Sequence, residues 1–304
     1  MKYNAATGSL AKSNLKIWQH NVNKSRLCQH DLISSGKLTR WDIDIVALQE
    51  PSINSFGQTV ASKDWKTVYP TGHASNPEKT RSVMLIRDNL LTDGWEQIEF
   101  PSSDVTAISI KGEWGKLALF NIYNDCNHDN TLDLLVQFHK RHINKLMGNE
   151  VTQNKHHVVW LGDFNHHHPC WDSMVNSDLF SKEALDKADL LIQTLADIGL
   201  DLALPAGIPT HEHNVTKRWS RLDQVFVTEH TLEALLQCEA LPTEQGLNTD
   251  HFPIISTLDI NVEITLNVTD PPVMLSRKVD PGLQDLQCYD KDLQTDFYLF
   301  NSVY

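Results

Sequence analysis

Short apolar runs, several of them rich in valine, isoleucine and leucine, recur along the chain and end at polar residues. Runs of four to eight such residues are typical of strands buried on both faces of a sheet, although periodicity alone does not exclude a helix. The segments of this kind are Leu15–His20, Ile43–Gln49, Ser82–Arg87, Ala107–Ile110, Lys116–Tyr123, His157–Leu161, Leu200–Leu204, Gln224–Thr228 and Pro253–Leu258. So many buried strands, with few long helices, predict two packed sheets with helices outside them.

Two segments have the three-four apolar spacing of amphipathic helices, Thr131–Met147 and Ser181–Ile198. Ser181 suits the N-cap of the second helix, and Gly199 suits its exit. Both apolar stripes indicate packing against a sheet rather than a cofactor site.

The length of 304 residues is large for one domain but fits a large sandwich, and 40% apolar residues can bury a sizeable core. We expect a polar leader at 1–14, one domain at 15–262 and a loosely ordered extension at 263–304, where periodicity is lost. The polar N-terminus lacks the apolar stretch of a secretory signal, and no run is long enough to span a membrane. The scattered, odd set of five cysteines fits reduced thiols. These features predict an intracellular protein.

The net charge of −13 argues against a protein that binds nucleic acid through a broad basic surface. It does not exclude a nuclease in which a metal ion and a local groove act on the substrate. Part of the acidity would then belong to a carboxylate site, whose charge a bound cation offsets.

Six polar motifs lie at or beside the ends of apolar runs, where rigid strands can hold a site at a common rim. In order, they are His20-Asn21, Gln49-Glu50, Tyr123-Asn124, Gly162-Asp163-Phe164-Asn165, Ser220-Arg221-Leu222-Asp223 and Thr249-Asp250-His251. They supply carboxylates, amides, a phenol and an imidazole, without paired cysteines or a serine nucleophile motif. This set is typical of a Mg²⁺-dependent phosphodiester hydrolase, in which Mn²⁺ could replace Mg²⁺.

Four of the motifs carry the most specific chemistry. Glu50 ends an apolar strand and suits a Mg²⁺ ligand, although a single solvated loop carboxylate is common. Asp163 and Asn165 are two residues apart, so an extended chain would point both to one side, where they could activate and orient water; an Asx turn is the alternative. Asp223 could pair with His251 and raise its pKa, so that a protonated histidine stabilises the charge on phosphorus.

The remaining polar residues are weak evidence alone. Asn21 and Tyr123 are ordinary at strand ends and gain weight from the set. The run His166-His167-His168 cannot easily point at one ion, so a surface loop or a phosphate contact is favoured. His20, His211 and His213 are expected to be structural or exposed.

Taken together, the motifs resemble the endonuclease/exonuclease/phosphatase superfamily, which includes DNase I and the apurinic/apyrimidinic endonucleases. The match covers residues 15 to about 260 in the family's motif order. Three segments are most similar to the endonuclease domains of non-LTR retrotransposons. They are Gly162–Asn165 continuing through His167-His168-Pro169 to Trp171-Asp172, then Leu204–Thr210, and Trp219–Asp223.

The resemblance implies a four-layer α/β sandwich and a DNA endonuclease that nicks one strand, leaving a 3′-hydroxyl that primes reverse transcription. The implied catalytic residues are Asp163, Asn165, His251, Asp223 and Tyr123. The implied metal-site residues are Glu50, Asn21 and Asp250. Substrate contacts are expected from Asn124, Ser220, Arg221 and His167. DNA as substrate would place the protein, expected to be a monomer, in the nucleus.

The sequence departs from the family pattern at a few positions. Asn23 stands where apurinic endonucleases often carry Asp, which puts a second metal position in doubt. Gln224 replaces a frequent aromatic residue, and Thr249 replaces a common Ser. No reverse-transcriptase domain follows in this chain.

Two other readings stay open at this point. One is a phosphoesterase of the same fold that acts on a small molecule such as an inositol phosphate, which the acidic balance favours. The other is a non-catalytic remnant, against which the complete polar set argues. Fold alone does not decide between them.

Overall fold

The computed structural model describes residues 3–4, 9–90, 94–147 and 155–265. The strands are β1 (Tyr3–Asn4), β2 (Ser9–Lys12), β3 (Leu15–Asn21), β4 (Ile45–Gln49), β5 (Trp65–Val68), β6 (Ser82–Arg87), β7 (Trp95–Ile98), β8 (Val105–Gly112), β9 (Gly115–Tyr123), β10 (Lys155–Asp163), β11 (Leu200–Leu202), β12 (His211–Glu212), β13 (Trp219–Ser220), β14 (Asp223–Thr228), β15 (Leu235–Ala240), β16 (Ile254–Leu258) and β17 (Val262–Thr265). The helices are α1 (Arg26–Ser34), α2 (Lys37–Arg40), α3 (Asn130–Met147), α4 (Lys182–Ile198) and α5 (Glu229–Glu233). None of these helices is long and apolar enough to cross a membrane.

Two six-stranded sheets form the centre of the fold. The first has the order β15-β16-β3-β4-β6-β5, and the second has the order β11-β14-β10-β9-β8-β7. Both are mixed, because β3 pairs with β4 and β9 with β10 in parallel, while the other pairs are antiparallel. The fold is therefore the predicted DNase I-like arrangement of two mixed sheets.

Three apolar clusters separate four layers. The central cluster lies between the sheets and joins Ile17 and Met84 of the first sheet to Leu119 and Leu161 of the second. A second cluster packs α3 and α4 on the outer face of the second sheet. A third packs α1 and α2 on the outer face of the first sheet. The apolar stripes on α3 and α4 thus face a sheet, as predicted.

The strands that the sequence did not predict lie mostly at edges. β5, β7 and β15 are outermost in their sheets, and polar residues interrupt their apolar ones, because an edge strand is partly exposed to solvent. Residues 9–12 of the expected leader form β2, which pairs with β17. From residue 266 onward, the expected extension lies outside the described residues.

A layer of buried polar side chains joins the two sheets just below the ends of β4 and β9. The Gln49 amide donates to the Asn121 Oδ1 atom, and the Asn121 amide donates to the carbonyls of Leu48 (2.9 Å) and Val83 (3.0 Å). Ser82 Oγ donates to the Asn121 carbonyl at 2.9 Å. Because buried amides favour one pairing, this layer fixes the position of one sheet relative to the other.

Candidate active site

The predicted site residues converge where strands of both sheets end. Asn21 closes β3 and Glu50 follows β4 in the first sheet, whereas Tyr123 closes β9 and Asp163 closes β10 in the second. In the second sheet, Asp163 pairs in register with both Tyr123 and Asp223. The packing of the sheets therefore brings the two groups to one end of the sandwich.

Gly162 determines how β10 delivers Asp163. Its φ of +147° favours glycine, and a Cβ atom there would lie 1.8 Å from the Ile122 carbonyl oxygen. The absence of a side chain lets β9 and β10 approach closely, so that Asp163 and Tyr123 lie side by side.

His251 is buried among three carboxylates. Its Nδ1 atom lies 2.8 Å from Asp223 Oδ2, and its Nε2 atom lies 3.9 Å from Asp163 Oδ2 and 3.7 Å from Asp250 Oδ1. The His251 backbone amide donates to Thr249 Oγ1 at 3.2 Å. The predicted pairing of Asp223 with His251 is present in this geometry.

The charges of this cluster follow from burial and pairing. Burial alone would lower the pKa of His251, but the charge and hydrogen bond of Asp223 outweigh it and raise the pKa to about 10. Burial, together with the charge of Asp223, raises the pKa of the Asp163 carboxyl above its ordinary value. At neutral pH the cluster thus holds an imidazolium beside a carboxylate that readily accepts a proton.

Two amides hold the Asp163 carboxylate. Asn21 Nδ2 donates to its Oδ2 atom at 2.8 Å, and the backbone amide of Asn165 donates to its Oδ1 atom at 3.0 Å. Asn165 has a positive φ of 54°, a conformation that asparagine tolerates better than most residues, and its side-chain amide donates to the Asn124 carbonyl at 2.7 Å. The predicted extended geometry is therefore wrong here, because the bond from the Asn165 amide to Asp163 Oδ1 forms the Asx turn that the sequence left as the alternative.

An oxygen-rich group lies next to the His251 cluster. The Asn23 backbone amide donates to Asn21 Oδ1 at 2.9 Å, and its side-chain amide lies 3.4 Å from Asp250 Oδ1, so one residue contacts both oxygens. Glu50 Oε1 lies 3.5 Å from Lys24 Nζ, and the Glu50 side chain is 17% exposed. Carboxylate and amide oxygens suit Mg²⁺, so Asn21 and Asp250 offer donors of the kind this ion takes, and Glu50 stays a predicted ligand.

Glu50 has a positive φ of 45°, which is unfavourable for a residue other than glycine, asparagine or aspartate. Its backbone amide donates to the Arg81 carbonyl at 2.9 Å, and its carbonyl accepts from the Lys24 amide at 2.8 Å. These bonds hold the strained residue in place. Such strain is often found at functional sites, where surrounding structure maintains it.

Tyr123 is close enough to both Glu50 and Asp163 to be affected by their charges, and it is 8% exposed. Burial and the charges of Glu50 and Asp163 raise the pKa of the Tyr123 phenol, which therefore stays protonated at neutral pH. The Arg81 guanidinium lies over the ring, with its Cζ atom 4.7 Å from the centroid. A neutral phenol can donate a hydrogen bond to a phosphate oxygen.

The expectation that Arg221 and Asn124 contact substrate is not supported, because both are completely buried. The Arg221 guanidinium donates to the carbonyls of Leu204 (2.9 Å) and Pro205 (2.5 Å), and the Asn124 amide donates to the Phe164 carbonyl at 3.2 Å. Their roles are to support loops beside the site.

Ser220 and His167, the other two expected substrate contacts, each pair with a neighbouring side chain. Ser220 is buried, and its hydroxyl lies 3.2 Å from Nδ1 of His211. His167 keeps a side-chain exposure of 23%, with Nδ1 2.9 Å from the buried Asp172 carboxylate, so a contact with phosphate stays a prediction. His166 is buried, contrary to the surface loop expected for the histidine run.

Three residues near the site were not assigned to it from the sequence: His211, which was expected to be structural or exposed, Asn214 and Arg81. His211 Nε2 lies 3.5 Å from Asp250 Oδ2, and Asn214 donates to the same oxygen at 3.0 Å. Although burial opposes it, the bond from His211 and the charge of His251 lower the pKa of Asp250 to about 2. Arg81 directly precedes β6, a strand-end position of the kind that marked the other site residues.

The tightest groups of possible ligands centre on His251. Within the described chain, the ligand atoms of Asp163, Asp223 and His251 lie within 4.8 Å of one another, and so do those of His211, Asp250 and His251. Because Nδ1 of His251 already bonds Asp223, the first group is better described as a hydrogen-bonded His–carboxylate pair beside an acid.

Comparison with known proteins agrees with this fold. Residues 117–255 match the family model described as endonuclease-reverse transcriptase. The endonuclease domain of TRAS1, a telomere-specific non-LTR retrotransposon, has the same fold, with a TM-score of 0.60, 18% identity, and coverage of 80% of this chain and 98% of that domain. Both findings agree with the resemblance of the motifs to the endonuclease/exonuclease/phosphatase superfamily.

Other solved structures share this fold. AP endonuclease LMAP from Leishmania major gives a TM-score of 0.63 at 12% identity, covering 81% of this chain and 88% of that one. The 3′ phosphatase NExo from Neisseria, bound to product DNA hairpin, gives 0.56 at 17% identity, covering 80% and 98%. No curated protein matches the sequence. The segment matched by the family model contains Tyr123, Asp163 and His251, whereas Asn21 and Glu50 precede it.

Proposed function

We propose that this protein is a Mg²⁺-dependent phosphodiester hydrolase that nicks one strand of DNA, derived from a non-LTR retrotransposon endonuclease. The observation that supports it best is the buried Asp223–His251–Asp163 cluster beside the oxygen donors of Asn21 and Asp250. Asp163 would accept a proton, the protonated His251 would supply a positive charge, and the oxygen donors would bind Mg²⁺.

Glu50, Asn21 and Asp250 would hold Mg²⁺ or, in its place, Mn²⁺. When bound, the ion neutralises charge on the phosphate and polarises its oxygens. Asn23 supports this set, because it contacts both Asn21 and Asp250.

The remaining residues would act on water and phosphate. Asp163 takes a proton from water, which Asn165 orients, and the water oxygen forms a bond to phosphorus in line with the breaking P–O3′ bond. The leaving O3′ atom takes up a proton from solvent to give a 3′-hydroxyl, and the phosphate stays on the 5′ end of the other product. His251, kept protonated by Asp223, stabilises the negative charge on the pentavalent phosphorus, and the Tyr123 hydroxyl donates to a phosphate oxygen.

DNA is supported as the substrate by the similar structures. One is the endonuclease domain of a retrotransposon, and another was solved with a product DNA hairpin. DNA as substrate would place the protein in the nucleus. We expect it to act as a monomer.

The net charge of −13 favours a second candidate, a phosphoesterase of the same fold that acts on a small molecule such as an inositol phosphate. The same residues would perform the hydrolysis. The third candidate is a remnant of such an enzyme that has no catalytic activity.

Nicking of supercoiled plasmid by the purified protein in Mg²⁺ tests the proposal. We expect open circles that disappear with EDTA and in the Glu50→Ala variant. Glu183→Ala removes an exposed carboxylate from α4, far along the chain from these motifs, and serves as the matched control. If the folded wild-type protein produces no open circles, DNA nicking is excluded, and hydrolysis of an inositol phosphate panel separates the other two candidates.

A further inference from the structure

Arg81 of the first sheet reaches across to a residue of the second. It directly precedes β6, and its guanidinium covers the ring of Tyr123, with Cζ 4.7 Å from the centroid. A guanidinium over an aromatic face is attracted by the negative charge of the ring face. The contact therefore restricts how the Tyr123 ring can turn.

Two carboxylates hold this guanidinium in place. Arg81 Nε and one terminal nitrogen each donate to an oxygen of Asp104 at 2.8 Å, and the other terminal nitrogen donates to Asp125. Both acids are largely buried, with side-chain exposures of 9% and 14%. Because a two-point bond to a carboxylate fixes the plane of the guanidinium, Arg81 has little freedom above the ring.

The backbone connects the same residues to both halves of the site. The Tyr123 amide donates to the Asp104 carbonyl at 2.9 Å, and the Arg81 carbonyl accepts from the Glu50 amide at 2.9 Å. Arg81 thus contacts Glu50, a proposed metal ligand, through its main chain. Its side chain contacts Tyr123, which lies beside Asp163.

The charge balance argues against a direct phosphate contact by Arg81. Two carboxylates already pair with its single positive charge, so the three residues together carry a net negative charge. An arginine committed in this way is poorly suited to attract a phosphate, and its geometry is directed at Tyr123 instead.

We propose that Arg81, fixed by Asp104 and Asp125, is a positioning residue that holds the Tyr123 hydroxyl towards the scissile phosphate. The proposal rests on the proposed function, in which Tyr123 donates to that phosphate. The positive charge over the ring also draws electron density from the phenol and makes its hydroxyl a better donor.

Steady-state nicking of supercoiled plasmid in Mg²⁺ tests this role. A group that acts only in the transition state affects kcat, so Arg81→Met should lower kcat by about tenfold to a hundredfold and change KM by less than about threefold. Arg81→Lys keeps the charge but cannot span both carboxylates, and should stay at least about fivefold below wild type. Asp125→Asn, a milder variant for folding, should also lower kcat.

Arg87→Met is the matched control for these variants. Arg87 ends the same strand, lies over the Trp65 ring at 5.6 Å and pairs with Asp42 at 3.6 Å. Its removal should leave kcat and KM unchanged. If Arg81→Met raised KM while kcat stayed constant, Arg81 would be a phosphate-binding residue, and the positioning role would be wrong.

A double-mutant cycle separates positioning of the hydroxyl from general support of the fold. Tyr123→Phe removes the hydroxyl and keeps the ring. In that background, Arg81→Met should change kcat by less than about threefold, because the group it positions is gone. Losses that multiply in the double variant would overturn the proposal.

NMR of protein carrying ¹³C-labelled tyrosine tests the contact without activity. The Tyr123 resonance, identified by its loss in Tyr123→Phe, should shift in Arg81→Met and stay in place in Arg87→Met. An unmoved resonance would overturn the proposal. If the resonance shifts but wild-type protein nicks no DNA, the pairing is supported and the proposed function fails.

Discussion

His251 is a histidine whose charge depends on its neighbours. It is buried, yet the carboxylates of Asp223, Asp163 and Asp250 lie within 4 Å of its ring nitrogens. Burial of an unpaired imidazolium would be costly, and the short bond to Asp223 offsets that cost. The backbone carbonyl of His251 is in turn 3.1 Å from His20 Nε2, and burial lowers the pKa of His20 to about 4. The neighbouring histidine is therefore neutral and adds no repulsion at pH 7.

Replacing His251 by glutamine should lower the nicking rate by about 10²- to 10⁴-fold, the usual contribution of a group that handles protons in catalysis. Glutamine can still accept or donate a hydrogen bond, but it carries no charge. His213→Gln, at an exposed histidine of the β12–β13 hairpin, is the control and should leave the rate unchanged. A loss below tenfold in His251→Gln would assign His251 a structural role.

Replacing Asp223 by asparagine should move the alkaline limb of the pH–rate profile to lower pH. Asp223 raises the pKa of His251, whereas burial lowers it, so removal of the Asp223 charge lets the imidazolium lose its proton at a lower pH. The profile of kcat/KM for plasmid nicking between pH 6 and pH 10 measures this, since it reports groups of the free enzyme. An unchanged limb would contradict the pairing.

At the scale of elements, the junction of β9 and β10 tolerates no side chain at residue 162. Gly162→Ala would place a Cβ atom 1.8 Å from the Ile122 carbonyl oxygen, which forces the strands apart. We expect a loss of unfolding free energy of roughly 2–4 kcal/mol in urea titrations, and a lower nicking rate because Asp163 moves. Gly207→Ala is the control: its φ is also positive, at +81°, but no atom lies within 4 Å, so only about 1 kcal/mol should be lost.

The helix α3 should make the protein sensitive to acid. Burial lowers the pKa of His139 to about 4, from 6.5, so the unfolded chain takes up the proton first as pH falls. The contribution of His139 to stability is complete above pH 6.5 and is lost as pH falls towards 4. His139→Gln keeps an acceptor for Trp160 Nε1, which lies 3.3 Å from His139 Nε2.

Urea titrations at pH 7 and pH 4.5 measure this effect. The loss of unfolding free energy between the two should be smaller in His139→Gln than in wild type by about 1–3 kcal/mol. Equal losses in both proteins would show that His139 titrates normally. His142→Gln, on the same helix and only partly buried, is the control.

The sequence predicted the elements whose environment is uniform. Strands buried on both faces, such as β6 and β9, read as continuous apolar runs, and α3 and α4 show one apolar stripe. The edge strands β5, β7 and β15 were missed because their exposed sides carry polar residues. At the site, strand-end position revealed most of the residues that converge. It could not show that Arg221 and Asn124 are buried, because burial of a polar side chain depends on loops packed from distant parts of the chain.

At the scale of the whole molecule, the net charge of −13 should make DNA binding weakly dependent on salt. Each phosphate neutralised by Lys or Arg releases counterions, so the slope of log affinity against log salt counts such contacts. We expect to measure KM for plasmid between about 50 and 200 mM KCl at constant Mg²⁺ and to find a weak salt dependence. The slope of log KM against log salt should correspond to fewer than about three phosphate contacts. A slope of about six or more would reveal a basic groove despite the overall charge.

Because the site is divided between two sheets, it is complete only after both sheets have packed together. Asn21, Glu50 and Arg81 belong to one sheet, Tyr123, Asp163 and Asp223 to the other, and the Gln49–Asn121 bond joins the two beneath them. If the proposed function holds, a newly made or partly unfolded chain that has formed a single sheet would carry half of the site and would not cut DNA. The ability to break DNA would thus arise only with completed assembly, and would be among the first properties lost when the sandwich loosens.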